Sequence, residues 1–252
     1  MSDSTVVLIT GASRSLGKAL VQRYLSRPNH IVVGSVRDKA SPNAQELKTL
    51  PTAAGSRLFL VKIENTSLTD PTDAVKDLQA TGIDSLDIVI ANAGCMGSEI
   101  VAAIDTVKTE DVTTCFNVNT LGSLVLFQAV RPLLQKSKLP RWVAITSSAG
   151  SIGSMEAFGT SFVSSYGISK AGLNWVTMAA HCSNKWLTAF ALHPGFVQTE
   201  GGNISAKALG MEKPPNTIEE SIKGVMVFID QATREKSSGT FYDAINNTEI
   251  PW

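Results

Sequence analysis

Cysteine, histidine and tyrosine are all scarce: three of each in 252 residues. Cys95, Cys115 and Cys182 are odd in number and far apart, which excludes a disulfide framework and a zinc-ligand set. They read as buried free thiols in a reducing compartment. His30, His181 and His193 have no spacing that suggests a metal, so no metal site is expected. Excess charge is also missing, because Lys+Arg and Asp+Glu stand at 22 each. That balance gives no electrostatic case for binding nucleic acid or an anionic membrane. No apolar run approaches the ~18 residues of a membrane span. The opening Met-Ser-Asp-Ser-Thr has none of the basic-then-apolar character of a secretory signal. These absences lead us to expect a soluble cytoplasmic protein.

What is present is a 43% hydrophobic chain whose apolar residues fall into short β-branched runs alternating with helical patterns. The strand candidates are Val6–Ile9, Ile31–Val36, Leu58–Ile63, Leu86–Ile90, Trp142–Thr146, Leu187–Leu192 and a last one near 240–245. Helical patterns fill the intervals, at 43–50, 70–81, 109–136, 166–183 and near 217–230. Strands alternating with helices argue for a mainly parallel, doubly wound, seven-stranded sheet with helices on both faces. Without a linker-like composition shift or an internal repeat, residues 1–252 read as one α/β domain. Residues 197–215 are mixed and punctuated by Gly and Pro, and are read as a substrate-binding or lid segment.

Two stretches carry chemistry. The first strand runs into Thr10-Gly11-Ala12-Ser13-Arg14-Ser15-Leu16-Gly17 and then an amphipathic helix, a layout that holds a pyrophosphate at a helix N-terminus. Tyr166 and Lys170 are four residues apart and so share a helix face. An ammonium beside a phenol favours the phenolate, so the tyrosine pKa is expected to fall. A lowered pKa suits a general acid or base near neutral pH. His193 ends a strand and reads as a hydrogen-bonded core histidine; Arg131 reads as a helix-end or interface charge.

The Gly11–Gly17 loop resembles the Thr-Gly-x-x-x-Gly-x-Gly loop of the short-chain dehydrogenase/reductase family, with Ser15 where the family usually has its middle glycine. The resemblance continues along most of the chain. Ala91-Asn92-Ala93-Gly94 is similar to the family's Asn-Asn-Ala-Gly, and His193-Pro194-Gly195-Phe196-Val197-Gln198-Thr199 to its Pro-Gly-x-x-x-Thr loop. Asn119 matches the family's helix asparagine, which holds a water in a relay to the lysine, and Asn117 lies on another helix face. Ser147, at the end of the fifth strand, matches the catalytic serine because Gly150 follows at the usual offset; Ser148 and Ser151 remain alternatives. The 19 residues from Ser147 to Tyr166 exceed the family's common interval.

The resemblance implies a single-domain Rossmann fold and a catalytic set of Ser147, Tyr166, Lys170 and Asn119. It implies a dinucleotide held by Gly11, Ser13, Arg14, Ser15, Leu16, Gly17, Arg37, Glu64, Asn92, Ala93, Gly94, Tyr166, Lys170, Pro194, Gly195, Val197 and Thr199. An acid after the second strand suits NAD, whereas arginine suits a 2′-phosphate. Val36 stands at the acid's place, followed by Arg37 with Arg14 nearby, which favours NADP(H); Asp38 argues the other way if it turns inward. The Tyr166–Asn174 stretch, Ser148–Ile152 and the final Ile-Pro-Trp are similar to sniffer-type carbonyl reductases and fungal ketoreductases. They imply hydride transfer between NADP(H) and a ketone or secondary alcohol on a bulky, possibly aromatic metabolite. Two rivals stand beside that reading: a biosynthetic cyclase or isomerase, or reduction coupled to ring closure, and a non-catalytic dinucleotide-binding regulator. The family also implies a homo-oligomer, dimer or tetramer, built on the helices at 109–136 and 166–183.

Overall fold

Apolar runs become strands here because each is covered on both sides. In the first strand Val7 and Ile9 turn to one face of the sheet and Val6 and Leu8 to the other, and all four are buried. Such a strand is stable only between two helical layers. The computed structural model describes residues 4–252. In chain order the elements are β1 (Thr5–Ile9), α1 (Ser15–Leu25), β2 (His30–Val36), α2 (Pro42–Leu47), β3 (Arg57–Lys62), α3 (Asp70–Ala80) and β4 (Ile88–Ala91). There follow α4 (Thr109–Cys115), a π-turn (Phe116–Leu121), α5 (Gly122–Leu134), β5 (Arg141–Ile145) and a 3-10 turn (Ser148–Gly150). The remainder is α6 (Met155–Phe158), α7 (Ser164–Ser183), β6 (Thr188–His193), α8 (Glu200–Ala208), α9 (Ile218–Gln231), β7 (Phe241–Asp243) and β8 (Thr248–Glu249).

The strands form one sheet in the order β3-β2-β1-β4-β5-β6-β7-β8. All neighbours pair in parallel except β7 and β8, which pair antiparallel through Tyr242↔Glu249 and Asp243↔Thr248. The expected seven strands are therefore eight. The eighth is two exposed residues after a tight turn, in which the Asp243 carboxylate accepts the Ile245 and Asn246 N–H groups and Asn247 takes φ 56°. A strand that short and exposed leaves no apolar alternation to read.

One core joins α1, α2 and α9 to the sheet face bearing Val7, Ile9, Ile90 and Phe190. The other joins α3, α5 and α7 to Val6, Leu8, Val89 and Trp142. Trp142 is fully buried and meets Phe127 edge-on at 5.0 Å between ring centroids. Burying side chains of this size contributes roughly 1.5–3 kcal/mol each. The chain lays β1, β2 and β3 outward in one direction and then returns to put β4 on the other side of β1. The carboxyl ends of β1 and β4 thus border the crevice where open parallel sheets bind ligands.

Two helical expectations change. The single helix expected over 109–136 is broken by the π-turn, which carries Asn119. Residues 197–215, read as mixed and punctuated by Gly and Pro, contain α8, whose first turn is capped by the Thr199 hydroxyl accepting the Gly202 N–H at 3.0 Å. Gly201 and Gly202 in that first turn weaken its helical signal in the sequence.

Candidate active site

The glycine turn sits at the crevice. Gly11 has φ +65°, and a Cβ there would lie 3.0 Å from Ala93 Cα; a Cβ on Gly17 would lie 2.1 Å from the Gly11 carbonyl oxygen. Only glycine lets the two passes of backbone approach so closely. Ser15 adopts φ +50°, the left-handed conformation that its glycine counterpart would take without strain. The N-terminus of α1 has no side-chain cap and no acidic residue in its first turn. By contrast α9 has a full capping box from Thr217 and Glu220. Uncapped N–H groups at a helix start are suited to an anion. The turn is braced from β4. Thr10 Oγ1 accepts the N–H groups of Asn92 and Ala93 at 3.0 Å, and the Asn92 carboxamide donates to the Thr10 carbonyl at 2.8 Å. Asn92 thus acts as a tie between the two strand ends.

Beyond the carboxyl ends of β2 and β3 lies an open cleft of about 680 Å³ lined by Arg37, Asp38, Lys39, Lys62, Asp70, Asp73, Ala74 and Asp77. Arg37 is exposed on its wall. Asp38 spends its carboxylate on the Ala40 N–H at 2.8 Å, within its own turn. Arg14 pairs with Glu200 at the start of α8, so the glycine turn and α8 are joined across the front of the crevice. Glu64 gives its backbone N–H to Asp70 at 2.9 Å. Ser13 is half-buried in the turn, Leu16 packs against the core, and Gly94 lies beside Asn119 and Lys170, where a Cβ would come 3.0 Å from Asn119 Oδ1 and 3.5 Å from Lys170 Nζ. A glycine turn with an open helix N-terminus beside a crevice fits a dinucleotide pyrophosphate.

Three of the expected site residues meet at the carboxyl end of β5. Ser147 caps the 3-10 turn there, its Oγ accepting the Ala149 N–H at 3.2 Å. The first turn of α7 carries half-buried Tyr166, and Lys170 lies on the same face with Nζ 5.5 Å from the tyrosine ring centroid. Lys170 Nζ donates to the Ile145 carbonyl at 2.9 Å. Gly150 has no room for a side chain, since a Cβ would lie 2.8 Å from the Lys170 carbonyl carbon. Ser147, Tyr166 and Lys170 are therefore brought together. Ser148 instead gives its N–H to His193 Nδ1, and Ser151 turns away to the chain's last residues.

The charge states differ from the simple expectation. Burial pushes the Tyr166 phenol up to about 12, with the Ser147 hydroxyl pulling the other way. Burial also pushes the Lys170 ammonium down to about 8. The expected fall of the tyrosine pKa is thus reversed, because loss of water around the phenol outweighs the hydrogen bond from Ser147. His193 is held below its ordinary value by burial, as befits a core histidine.

Asn119 is fully buried in the π-turn. Its carboxamide accepts the Cys95 N–H at 2.8 Å and donates to the Cys95 carbonyl at 2.9 Å and to Ser169 Oγ at 2.8 Å. Ser169 in turn donates to the Tyr166 carbonyl at 2.7 Å. Asn119 therefore grips the irregular segment that follows β4 and the turn of α7 bearing the tyrosine. Cys95 and Cys115 lie beside each other at this junction, their shared hydrogen bond raising the first thiol and lowering the second. Cys182 is exposed, contrary to expectation: it sits in the last turn of α7 where the helix faces outward. Arg131 bonds Asn184 and lies over Trp186, which assigns it to packing.

On the far side, Pro194 accepts from Ser221 Oγ at 2.7 Å, and Gly195 has φ +91°. Asn216 shapes this loop, accepting the Phe196 N–H at 3.1 Å and the Gln198 N–H at 2.8 Å and bridging Val197. Sequence reading missed Asn216, Ser169 and Asn174. Asn174 donates to the Gly150 carbonyl at 3.1 Å. Ser169 and Asn174 had a signal in their place, three and eight residues after Tyr166 on the same helix. Asn216 had only its position just ahead of the Thr217–Glu220 capping box. Among the described residues no helix is long and apolar enough to cross a membrane, and no cluster of metal ligands occurs.

Residues 5–208 match the short chain dehydrogenase family. A short-chain dehydrogenase of Neurospora crassa, srdF, is 47% identical over 255 residues, covering 100% of this chain and 99% of its own. The norsolorinic acid ketoreductase nor1 of Dothistroma septosporum is 38% identical, covering 100% of this chain and 94% of that protein. Among solved structures, an NADPH-bound carbonyl reductase from chicken fatty liver superposes with a TM-score of 0.85 at 27% identity, over 99% of each chain. With the glycine turn, the serine, the tyrosine and the lysine in their places, the chain belongs to the short-chain dehydrogenase family and is an oxidoreductase that uses a nicotinamide dinucleotide.

Proposed function

We propose that this protein is an NADP(H)-dependent ketoreductase acting on a bulky, aromatic ketone of secondary metabolism. The observation that carries the reading is the convergence of Ser147, Tyr166 and Lys170 at the carboxyl end of β5, beside the β1/β4 crevice. NADP(H) is supported by Arg37 on the wall of the cleft and by Asp38 folding its carboxylate into its own turn. The NADPH-bound carbonyl reductase and the norsolorinic acid ketoreductase among its relatives support the same reading.

The dinucleotide would rest on Gly11–Gly17, with Arg37 toward its 2′-phosphate, Asn92–Gly94 along its edge and Pro194–Thr199 at the nicotinamide. When bound, the nicotinamide supplies or accepts the hydride. Ser147, its oxygen fixed by the Ala149 N–H, keeps its proton to donate to the substrate carbonyl. Because burial raises its pKa, Tyr166 holds its proton at neutral pH and donates it to the developing alkoxide. Below pH 8 Lys170 is charged, and it stabilises the phenolate left by that donation. Asn119, its carboxamide taken up by Cys95 and Ser169, serves as a positioning residue that fixes the start of α7. Residues 197–215, with Ile204, Leu209 and Met211 exposed on and after α8, form the lid side of the mouth. Exposed Trp175 and Ile168 on α7 and Leu121 on the π-turn support association of two copies through these helices.

The test is to incubate the purified protein with NADPH and a panel of aliphatic, monoaromatic and polycyclic aromatic ketones. Loss of NADPH absorbance with the larger aromatic ketones, and a product heavier by two hydrogens, is the expected result. A panel in which no carbonyl compound consumes NADPH overturns the reading.

A further inference from the structure

The loop joining Ser147 to Tyr166 presents large apolar side chains to its outside: Ile152, Met155, Phe158 and Phe162 are all exposed. Its far end is tied to the segment between β4 and α4. Ala102 donates its N–H to the Phe162 carbonyl at 2.8 Å, and Ser164 Oγ donates to the Ala102 carbonyl at 2.8 Å.

The near end is held by residues a hundred positions away. Ser151 is fully buried; its hydroxyl donates to the Pro251 carbonyl and accepts the Ser154 N–H at 3.0 Å. The Gly153 N–H donates to the Trp252 carbonyl at 2.8 Å. A Cβ on Gly153 would lie 3.0 Å from Pro251 Cβ, so the two segments touch. The other end of this tie is rooted in the sheet. The Ile250 side chain is buried, its N–H donates to the Phe241 carbonyl at 2.7 Å, and the Trp252 ring lies 5.6 Å from the Phe241 ring.

We infer that Ile250–Trp252 is a strap that runs from β7 to residues 151–154 and sets the position of the substrate-facing loop, with Ser151 and Trp252 as positioning residues for bulky substrates. Ser147 is anchored separately, by the Ala149 N–H and by the contact of Gly150 with Lys170. Loosening the strap therefore displaces Ile152 and Met155 without moving the reacting groups. The strap governs how well a large ketone is held, and has little effect on a small one or on the step of reduction.

The substrate side of this inference rests on the ketoreductase reading; the loop-position side does not. Ser151→Ala, which removes two buried hydrogen bonds, and Trp252→Ala, which removes the ring packed on Phe241, are each expected to raise KM for a polycyclic aromatic ketone about five- to tenfold. Both kcat and the dissociation constant for NADPH should stay within about twofold, as should KM for a small aliphatic ketone. Trp252→Phe, which keeps a ring against Phe241, should restore KM. Backbone amide exchange should accelerate over residues 152–160 in both alanine variants. Unchanged KM and unchanged exchange overturn the strap, as does a parallel loss of kcat, NADPH affinity and KM that Trp252→Phe fails to repair. If Trp252→Ala does not fold, Ser151→Ala, which removes one hydroxyl, decides the matter. If the unaltered protein reduces no ketone, the ketoreductase reading fails on its own and amide exchange alone tests the strap.

Discussion

The floor of the site and its mouth are built from opposite materials. On the floor, Asn119, Ser169 and Lys170 are polar or charged and almost wholly buried, and each is hydrogen-bonded to a named partner. At the mouth, Ile152 is 71% exposed, Ile204 53% and Phe158 46%. A buried polar group without its partner costs roughly 1–3 kcal/mol, so each floor residue constrains the next. An exposed isoleucine imposes no such condition on its neighbours. On the proposed reading, the chemistry of the reaction is thus fixed by mutual requirement, while the choice of substrate lies where the chain is least constrained. Changes on the floor should act on kcat, and changes at the mouth on KM.

The sharpest break of this comparison is Tyr166→Phe. Removing the hydroxyl proposed to protonate the alkoxide should lower kcat for ketone reduction about 10²–10⁴-fold. NADPH affinity, measured by quenching of protein fluorescence, should be nearly unchanged. Near-normal turnover would assign the proton to another group and dissolve the floor as a functional unit.

The pH profile gives the next largest effect. With Lys170 held near 8 by burial, its charged form predominates below that pH and is lost above it. The phenol of Tyr166, near 12, keeps its proton throughout. For reduction, kcat/KM is therefore expected to be level from about pH 6 to 8 and to fall toward tenfold per unit at higher pH. Lys170→Arg, whose charge does not titrate in this range, should remove the fall even if it lowers the plateau. A profile that rises through pH 8 would contradict the assignment of Lys170 as the charge behind the tyrosine.

Arg37→Ala moves the test to the dinucleotide cleft. Loss of a guanidinium from a 2′-phosphate should raise KM for NADPH about tenfold or more, with KM for NADH little altered. Equal effects on both cofactors would remove the phosphate from that place.

The same contrast governs what the sequence disclosed. Tyr166 and Lys170 were legible because a helix fixes the relation between positions four apart, and the glycine turn because Gly11 and Gly17 have no room for a side chain. The alternation of strands and helices was legible from buried runs such as Val6–Ile9. The π-turn was not, since what gives it a purpose is the grip of Asn119 on Cys95, a residue 24 positions away. Nor was the sign of the Tyr166 shift, because desolvation depends on what the fold places around the ring. Helix α8 was masked by two glycines in its first turn, and β8 by having only two residues. The proposed strap was invisible because Ser151 and Pro251, 100 residues apart, meet only in the folded chain.

The smallest effect is expected at Ser15, which stands between floor and mouth in character: a constrained backbone with a half-buried, replaceable side chain. At φ +50° an L-residue carries a penalty of about 1–2 kcal/mol that glycine escapes. Glycine gives back about 0.5–1 kcal/mol through the greater freedom of its unfolded chain. Ser15→Gly should therefore stabilise the fold by about 0.5–1 kcal/mol, a rise in Tm of roughly 1–4 °C for a chain of this length. KM for NADPH should move less than about threefold, since the N–H groups at the start of α1 stay where they are. A fall in Tm would mean that the serine hydroxyl contributes more than its backbone strain costs, and the glycine turn would then belong with the floor, fixed by its side chains as well as by its backbone.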